Sequence, residues 1–400
     1  MTILLLNAGS SSLKCTLMQE RDGTVVASAR ADWAGSVTRY EYTGPDGQKH
    51  AEEVPWRKHA DAVRRALNDL ENVAPAALPQ ATDLAAVGHR VVHGGPFTSA
   101  MRLTPEVRAR ISELTELAPL HNPPSLETIS AAEAVLPDVP HVAVFDTSFH
   151  ATLPREAATY PLPRKWTEEW GIRRYGFHGL SHAYCAARAA EMLDQPAESL
   201  RLVICHLGHG CSASAVHGGR CVDTTMGFTP LDGLMMATRS GAVDPGAIVH
   251  VQRRFGLTAE EVETALNRES GLLGVSGVSA DMRLVLQAAD EGNERAQLAV
   301  SVYTHRVRQA VGALSATLGG VDALVFTAGV GEHSAAVRAD ICGGLECLGL
   351  QLDAARNSAC SPDADIAHDD SPGRILIVTS REDVMMLKEV LGVLGQAGPG

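Results

Sequence analysis

The chain has 400 residues, of which 45% are hydrophobic and 4% aromatic, with a formal net charge of −13. Length and composition suggest two or three globular domains with large cores. The acidic balance excludes a nucleic-acid reader, which needs a basic stripe, and argues against docking on anionic lipid; an anionic substrate would need positive charge focused locally.

The eight cysteines form no CxxC pair, and several sit in apolar runs. They read as small buried hydrophobes, not as a zinc site or a disulfide framework. The N-terminus MTILLLNAGSSS lacks a basic n-region, and its apolar run is too short for a signal-peptide core. No stretch approaches the ~20 apolar residues of a membrane span. A soluble, cytoplasmic protein is expected, with no nucleic-acid or membrane partner.

In chain order, Ile3 to Leu6 and Leu13 to Met18 flank Asn7-Ala8-Gly9-Ser10-Ser11-Ser12, which predicts a β-hairpin with a Gly/Ser turn. Short strand-like pieces follow between 22 and 53. Residues 57–72 and 104–117 have helical spacing, and Leu84 to Val92 reads as a strand carrying Gly88-His89-Arg90. His121-Asn122-Pro123-Pro124-Ser125 reads as a rigid loop, with Ser125 able to N-cap the next helix. Val142 to Phe145 is a strand ending at Asp146, and 151–176 look irregular. Leu202 to Cys205, then Gly208-His209-Gly210, then Cys211 to Val216 repeat the N-terminal layout, so two related halves are expected. Helices are expected at 258–268 and 291–317. A strand at Ala323 to Phe326 runs into Thr327-Ala328-Gly329-Val330-Gly331-Glu332, and Ile375 to Val378 leads to Glu382 and a closing helix. Strands alternating with helices make the class α/β.

Three strand-ending glycine loops therefore recur, at Gly9, Gly208/Gly210 and Gly329/Gly331. Such loops let the backbone cradle a phosphate, although many turn this way for packing alone. None is GxxxxGK[ST] or GxGxxG. Arg90 and Arg239 stand beside glycines and hydroxyls, where a guanidinium can grip a carboxylate or phosphate. Arg90 interrupts an apolar strand, a costly place for an unpartnered charge. His178 and His182 are four apart, but the Glu of HExxH is missing, which disfavours zinc. His178, between an aromatic and a glycine, suits a donor aimed at developing negative charge. Asp146 and Glu382, at strand ends, suit a hard cation or a helix cap. Lys14 is either a phosphate-facing cation or an exposed polar position.

NAGSSSLK (7–14), GHRVVHGG (88–95), LHNPPSL (120–126), FDTSFH (145–150), YGFHGLSH (175–182), HLGHG (206–210), DTTMGFTPLDGLMMATRSG (223–241) and FTAGVGEHS (326–334) together resemble the acetate kinases, whose nearest relatives are the propionate kinases. The resemblance runs from residue 3 to about 390. It implies a duplicated ribonuclease-H-like fold, as in actin, heat-shock chaperone ATPases and sugar kinases, with an interdomain nucleotide cleft. The domains would be 1–149 plus 382–400 and 150–381. It also implies a homodimer, ATP or ADP as substrate, magnesium or manganese as metal, and direct in-line transfer to acetate.

Site roles carry over by position. Arg90 and Arg239 match the arginines that hold the carboxylate and the transferring group. His178 matches a transition-state histidine, His121 a supporting one, and Asp146 an orienting aspartate. Asn7 and Glu382 match residues around the metal. Ser10, Ser12 and Lys14 match the N-terminal phosphate loop. His206, Gly208, His209, Gly210, Asp281, Met282, Arg283, Gly329 and Gly331 match nucleotide-binding segments. Val92, Leu120, Phe177 and Pro230 match an apolar substrate pocket. The position of Val92 is smaller in propionate kinases, so a valine favours acetate. His209 and His333 replace family asparagines, and Ser380-Arg381-Glu382-Asp383 replaces Thr-Asn-Glu-Glu. The histidines suggest a pH-dependent nucleotide affinity. A propionate kinase, or a low-turnover actin-like nucleotide switch, are the competing readings.

Overall fold

The computed structural model describes all residues except 10, 34, 75–77, 79, 119–120 and 396–400. Ser10 and Leu120, two of the expected site residues, thus lie outside the described residues. The chain divides into two compact units, Met1–Phe149 with Arg381–Gly400, and His150–Ser380. Among the described residues no helix is long and apolar enough to cross a membrane.

The first unit is built on β1 (Thr2–Gly9), β2 (Ser12–Gln19), β3 (Val25–Asp32), β4 (Thr38–Thr43), β5 (Lys49–Val54), β6 (Ala86–Val91), β7 (Met101–Arg102) and β8 (His141–Phe145). Their order in the sheet is β5-β4-β3-β2-β1-β6-β8-β7. β1 runs antiparallel to β2 and parallel to β6, which is parallel to β8. Ile3 to Leu6 are at most 2% exposed, because both faces of this central strand are covered, as its unbroken apolar run requires. Leu4 and Leu6 pack under the helices His59–Val73 and Asn122–Val135. On the opposite face lies the helix Glu382–Leu394. A Cβ built on Gly88 of β6 would stand 2.7 Å from Val390 Cγ2 and 2.8 Å from Leu5 Cδ2. Gly88 is therefore what lets that helix seat directly on the sheet.

The second unit contains β9 (Arg201–Leu207), β10 (Cys211–His217), β11 (Arg220–Thr224), β12 (Ala323–Thr327), β13 (Ala364–Asp365) and β14 (Arg374–Ile377), ordered β11-β10-β9-β12-β14-β13. Strand for strand this repeats β3-β2-β1-β6-β8-β7. A meander starts each sheet, two further strands lie parallel to its first strand, and an antiparallel edge strand ends the series. The repeat expected from two glycine hairpins thus extends through six strands. It is the ribonuclease-H-like arrangement that the resemblance implies, present once in each unit.

Three sequence readings are corrected. Residues 122–125 are not a loop: the helix starts at Asn122 with prolines in its first turn. Proline is tolerated there because those N–H groups have no intrahelical acceptor. Ser125 accordingly does not cap that helix; its Oγ lies inside it and donates to the His121 carbonyl at 3.3 Å. Gly329 and Gly331 do not form a loop either. Ala328, at φ 66°, turns the chain in one residue from β12 into the short helix Ala328–His333. The irregular stretch 151–176 contains two short helices, Arg155–Ala158 and Arg164–Glu168.

Candidate active site

In the first unit, the carboxyl ends of β1, β6 and β8 lie side by side, and each contributes one polar side chain. Open α/β sheets bind ligands at such strand ends. Arg90 grips Asp146 through two parallel bonds, Nε to Oδ1 at 2.9 Å and Nη2 to Oδ2 at 2.6 Å. Its Nη1 donates to Asn7 Oδ1 at 3.1 Å and lies 3.6 Å from Glu382 Oε2. Glu382 comes from the first turn of the helix that Gly88 admits. Asp146 is 1% exposed. Burial alone would lower the Arg90 pKa, but the charges of Asp146 and Glu382 outweigh it and hold it above the ordinary arginine value.

The loop after β6 is fastened by a reciprocal clasp. The His93 N–H donates to Asn122 Oδ1 and Asn122 Nδ2 donates to the His93 carbonyl, each at 3.1 Å. Val92 is buried at the start of this loop, and His121 occupies the N-cap position of the helix that carries Asn122. The turn after β1 is braced by His59, whose Nε2 lies 2.9 Å from the Gly9 carbonyl, and by Trp33, whose N–H donates to the Ser11 carbonyl at 2.9 Å. Ser12 is half-buried against Gly9. Lys14 is exposed, directly across the ladder from Asn7.

In the second unit, His178 precedes the helix Gly179–Leu193 with a left-handed backbone, φ 57°. Among the described residues only His178, Asp194 and Ala328 adopt positive φ without being glycine. Two of these three stand at the expected site, where such strain tends to gather. The His178 ring stacks on His206 with centroids 4.1 Å apart. Its Nδ1 is 3.0 Å from Ser212 Oγ, which is 2.7 Å from His182 Nε2. A Cβ on Gly210 would sit 3.3 Å from His178 Nε2 and 3.6 Å from Arg239 Nη1. The backbone at Gly210 thus approaches both the imidazole and the guanidinium closely. Arg239 Nη1 also donates to the Pro230 carbonyl at 3.4 Å, and burial lowers its pKa. His209 offers its carbonyl to the Ala237 N–H at 3.1 Å.

A Cβ on Gly208 would lie 3.5 Å from His206 Nε2 and 3.6 Å from Ala328 Cβ, so the second and third glycine segments adjoin. Sequence reasoning missed what fixes the third. Glu332 Oε1 accepts from the N–H groups of Ala328 and Ser380, at 2.8 and 3.0 Å. The buried Arg338 donates from Nη1 to the carbonyls of Gly331 and Glu332, each at 2.9 Å. Phe177 is buried, with its carbonyl 2.9 Å from His150 Nε2. Asp281 caps the helix Met282–Asp290 by accepting from the Arg283 N–H at 2.9 Å. It is also ion-paired with the exposed Arg283 side chain, while Met282 is buried. His333 is exposed.

Comparison with known proteins agrees along the chain. The acetokinase family profile matches residues 2–388. An acetate kinase of Nostoc sp. is 48% identical over 393 residues, covering 96% of this chain and 97% of that protein. One from Rippkaea orientalis is 45% identical over 398 residues, covering 97% and 98%. A crystal structure of Porphyromonas gingivalis acetate kinase superposes with TM-score 0.89 at 38% identity, covering 98% of this chain and 99% of that one. A propionate kinase from Francisella tularensis gives 0.90 at 36% identity, covering 97% and 98%. The chain belongs to the acetokinase family, kinases whose phosphoryl acceptor is a carboxylate.

Proposed function

We propose that the chain reversibly transfers the γ-phosphoryl group of ATP to acetate, giving acetyl phosphate and ADP by direct in-line displacement. The observation that carries this reading is the Arg90 constellation: a guanidinium locked by Asp146, with Asn7 and Glu382 converging on its remaining nitrogen. Phosphoryl transfer asks for positioning and charge neutralisation more than for covalent chemistry. Arg90 and Arg239 hold the reacting anions, and His178 donates to charge developing on the transferring group. His121 supports it. Ser12, Lys14 and the segments around Gly208, Gly210, Gly329 and Gly331 hold nucleotide phosphates, and Asp281 to Arg283 lie at the adenosine.

Asn7 and Glu382 offer one amide and one carboxylate oxygen, a hard donor set that fits magnesium. Among the described residues no group of three or more His, Cys, Asp or Glu side chains gathers as a metal site. The pair therefore fits an ion that arrives with nucleotide phosphates. When bound, magnesium neutralises phosphate charge. The family resemblance further supports a cytoplasmic homodimer, with functional domains at 1–149 plus 382–400 and at 150–381.

Val92 supports acetate over propionate. The discrimination is modest, because one methylene in such a pocket is worth ~1–3 kcal/mol. The likeness to a propionate kinase at TM-score 0.90 keeps that acid as the second reading. The test is hydroxylamine trapping of acyl phosphate with ATP, magnesium and either acid at matched concentration. Product with acetate well above propionate supports the proposal, and the reverse reassigns the substrate. ATP hydrolysis indifferent to both acids would favour a nucleotide switch.

A further inference from the structure

We propose that Ser212 is a positioning residue that fixes the tautomer of His178, so that the imidazole presents its Nε2–H to the transferring phosphoryl group. The inference rests on the role of His178 proposed above. Ser212, on β10, is fully buried, and its Oγ stands 3.0 Å from His178 Nδ1 and 2.7 Å from His182 Nε2. A hydroxyl has one hydrogen to donate. It also has two lone pairs, but among the described residues the two imidazoles are the hydrogen-bond partners of Oγ. Accepting from both would strand its own hydrogen in a buried site. It therefore accepts from one ring and donates to the other, and the direction of one bond dictates the direction of the second.

His182 sets that direction. Its side chain is fully buried, and among the described residues its Nδ1 meets no hydrogen-bond partner. Burial, reinforced by His150 and His206, holds its pKa well below the ordinary histidine value, so the ring is neutral and carries one N–H. A buried N–H without an acceptor is the rarer and costlier arrangement. The proton of His182 therefore sits on Nε2 and is donated to Ser212 Oγ. Ser212 then donates its own hydrogen to His178 Nδ1. With Nδ1 accepting, a neutral His178 carries its proton on Nε2, the nitrogen beside Gly210 and on the side of Arg239 Nη1. The stack on His206 at 4.1 Å opposes the ring flip that would exchange the two nitrogens. A fixed donor at Nε2 stabilises charge developing on a phosphoryl oxygen without reorganising during reaction.

The experiment is long-range proton–nitrogen correlation of the imidazoles in ¹⁵N-histidine-labelled full-length protein, with kcat and KM measured on the same samples. The variants are Ser212→Ala, Ser212→Thr, His182→Gln and His178→Ala. Native His178 is expected to show a protonated Nε2 and a lone pair on Nδ1. Ser212→Ala is expected to mix the two tautomers and to lower kcat about ten- to a hundredfold, with both KM values within about twofold of native. Ser212→Thr keeps the hydroxyl, and His182→Gln keeps a donor near the ε position, so both should hold the native tautomer and most of kcat. A native spectrum with the proton on Nδ1, or an unchanged tautomer in Ser212→Ala, overturns the proposal; the native spectrum decides even if Ser212→Ala does not fold. Near-native turnover in His178→Ala would instead overturn the role of His178 itself. Its collapse beside an unaffected Ser212→Ala would overturn the relay alone.

Discussion

Arg90 and Asp146, 56 residues apart, meet in a two-pronged ion pair at 2.6 and 2.9 Å, with the aspartate almost wholly buried. β6 and β8 are adjacent parallel strands, and their register sets Val91 against Phe145. Arg90 thus lies one rung before the end of that ladder and Asp146 one residue beyond it.

Asp146→Ala leaves the Arg90 guanidinium without its main partner. Breaking a buried pair from one side costs ~3–5 kcal/mol. Urea denaturation should show a loss of that order, and kcat should fall by at least ~10²-fold. Asp146→Asn keeps one acceptor oxygen and should lose less stability. Native stability in the alanine variant would show that the pair does not carry the site.

The two arginines should separate function from stability. Arg90→Ala removes an electrostatic donor, costing on the order of 10²–10³ in kcat, and strands Asp146, so it should also destabilise. Arg239 sits where burial disfavours its charge. Arg239→Ala should lose comparable activity with stability unchanged or raised. Melting temperatures and kcat of both variants check this, and equal destabilisation would contradict it.

Gly88→Ala inserts a Cβ within 3.0 Å of Val390 and Leu5 and should shift the helix that begins at Glu382. Overpacking of this kind costs ~1–3 kcal/mol. The magnesium concentration for half-maximal rate should rise, as in Glu382→Ala. An unchanged magnesium dependence in both variants would remove Glu382 from the metal's neighbourhood.

Desolvation by the surrounding chain, then the Arg239 charge, lower the His209 pKa below the ordinary value. His209 is then neutral at pH 7 and above, and protonates only toward acid. The pH-dependent nucleotide affinity expected from the asparagine-to-histidine exchange should therefore be confined to the acid end. KM for ADP in native and His209→Asn proteins should coincide from pH 7 to 8 and diverge below pH 6.5; identical profiles throughout would refute the role of His209.

Buried histidines should make the fold acid-sensitive. Burial holds His150 at about 4 and places His89, His141 and His182 below the ordinary 6.5. Their folded-state pKa values are depressed, so below pH 6.5 the unfolded chain binds more protons than the native one. The stability they contribute is complete above pH 6.5 and is lost as pH falls toward 4. The slope is up to ~1.4 kcal/mol per pH unit for each histidine. Urea midpoints should be level from pH 8 to 7 and fall between 6.5 and 4.5; a flat profile would refute the assignment.

What the sequence by itself determined is local. Two glycine hairpins of the same layout announced the repeat, because apolar strands broken by Gly and Ser permit little else. Arg90 betrayed itself by placing a charge in an apolar strand, and the ordered motifs identified the family. Only the tertiary structure decided the partnerships. Ser212 lies between His178 and His182, Arg338 holds the carbonyls of Gly331 and Glu332, and His59 braces Gly9 from 50 residues away. Such contacts leave no periodic trace in sequence, since a hydrogen bond constrains two side chains in space and nothing between them along the chain. The same holds for Ala328. A single left-handed residue turned an expected loop into a helix, and no residue-type preference announces an alanine in that conformation.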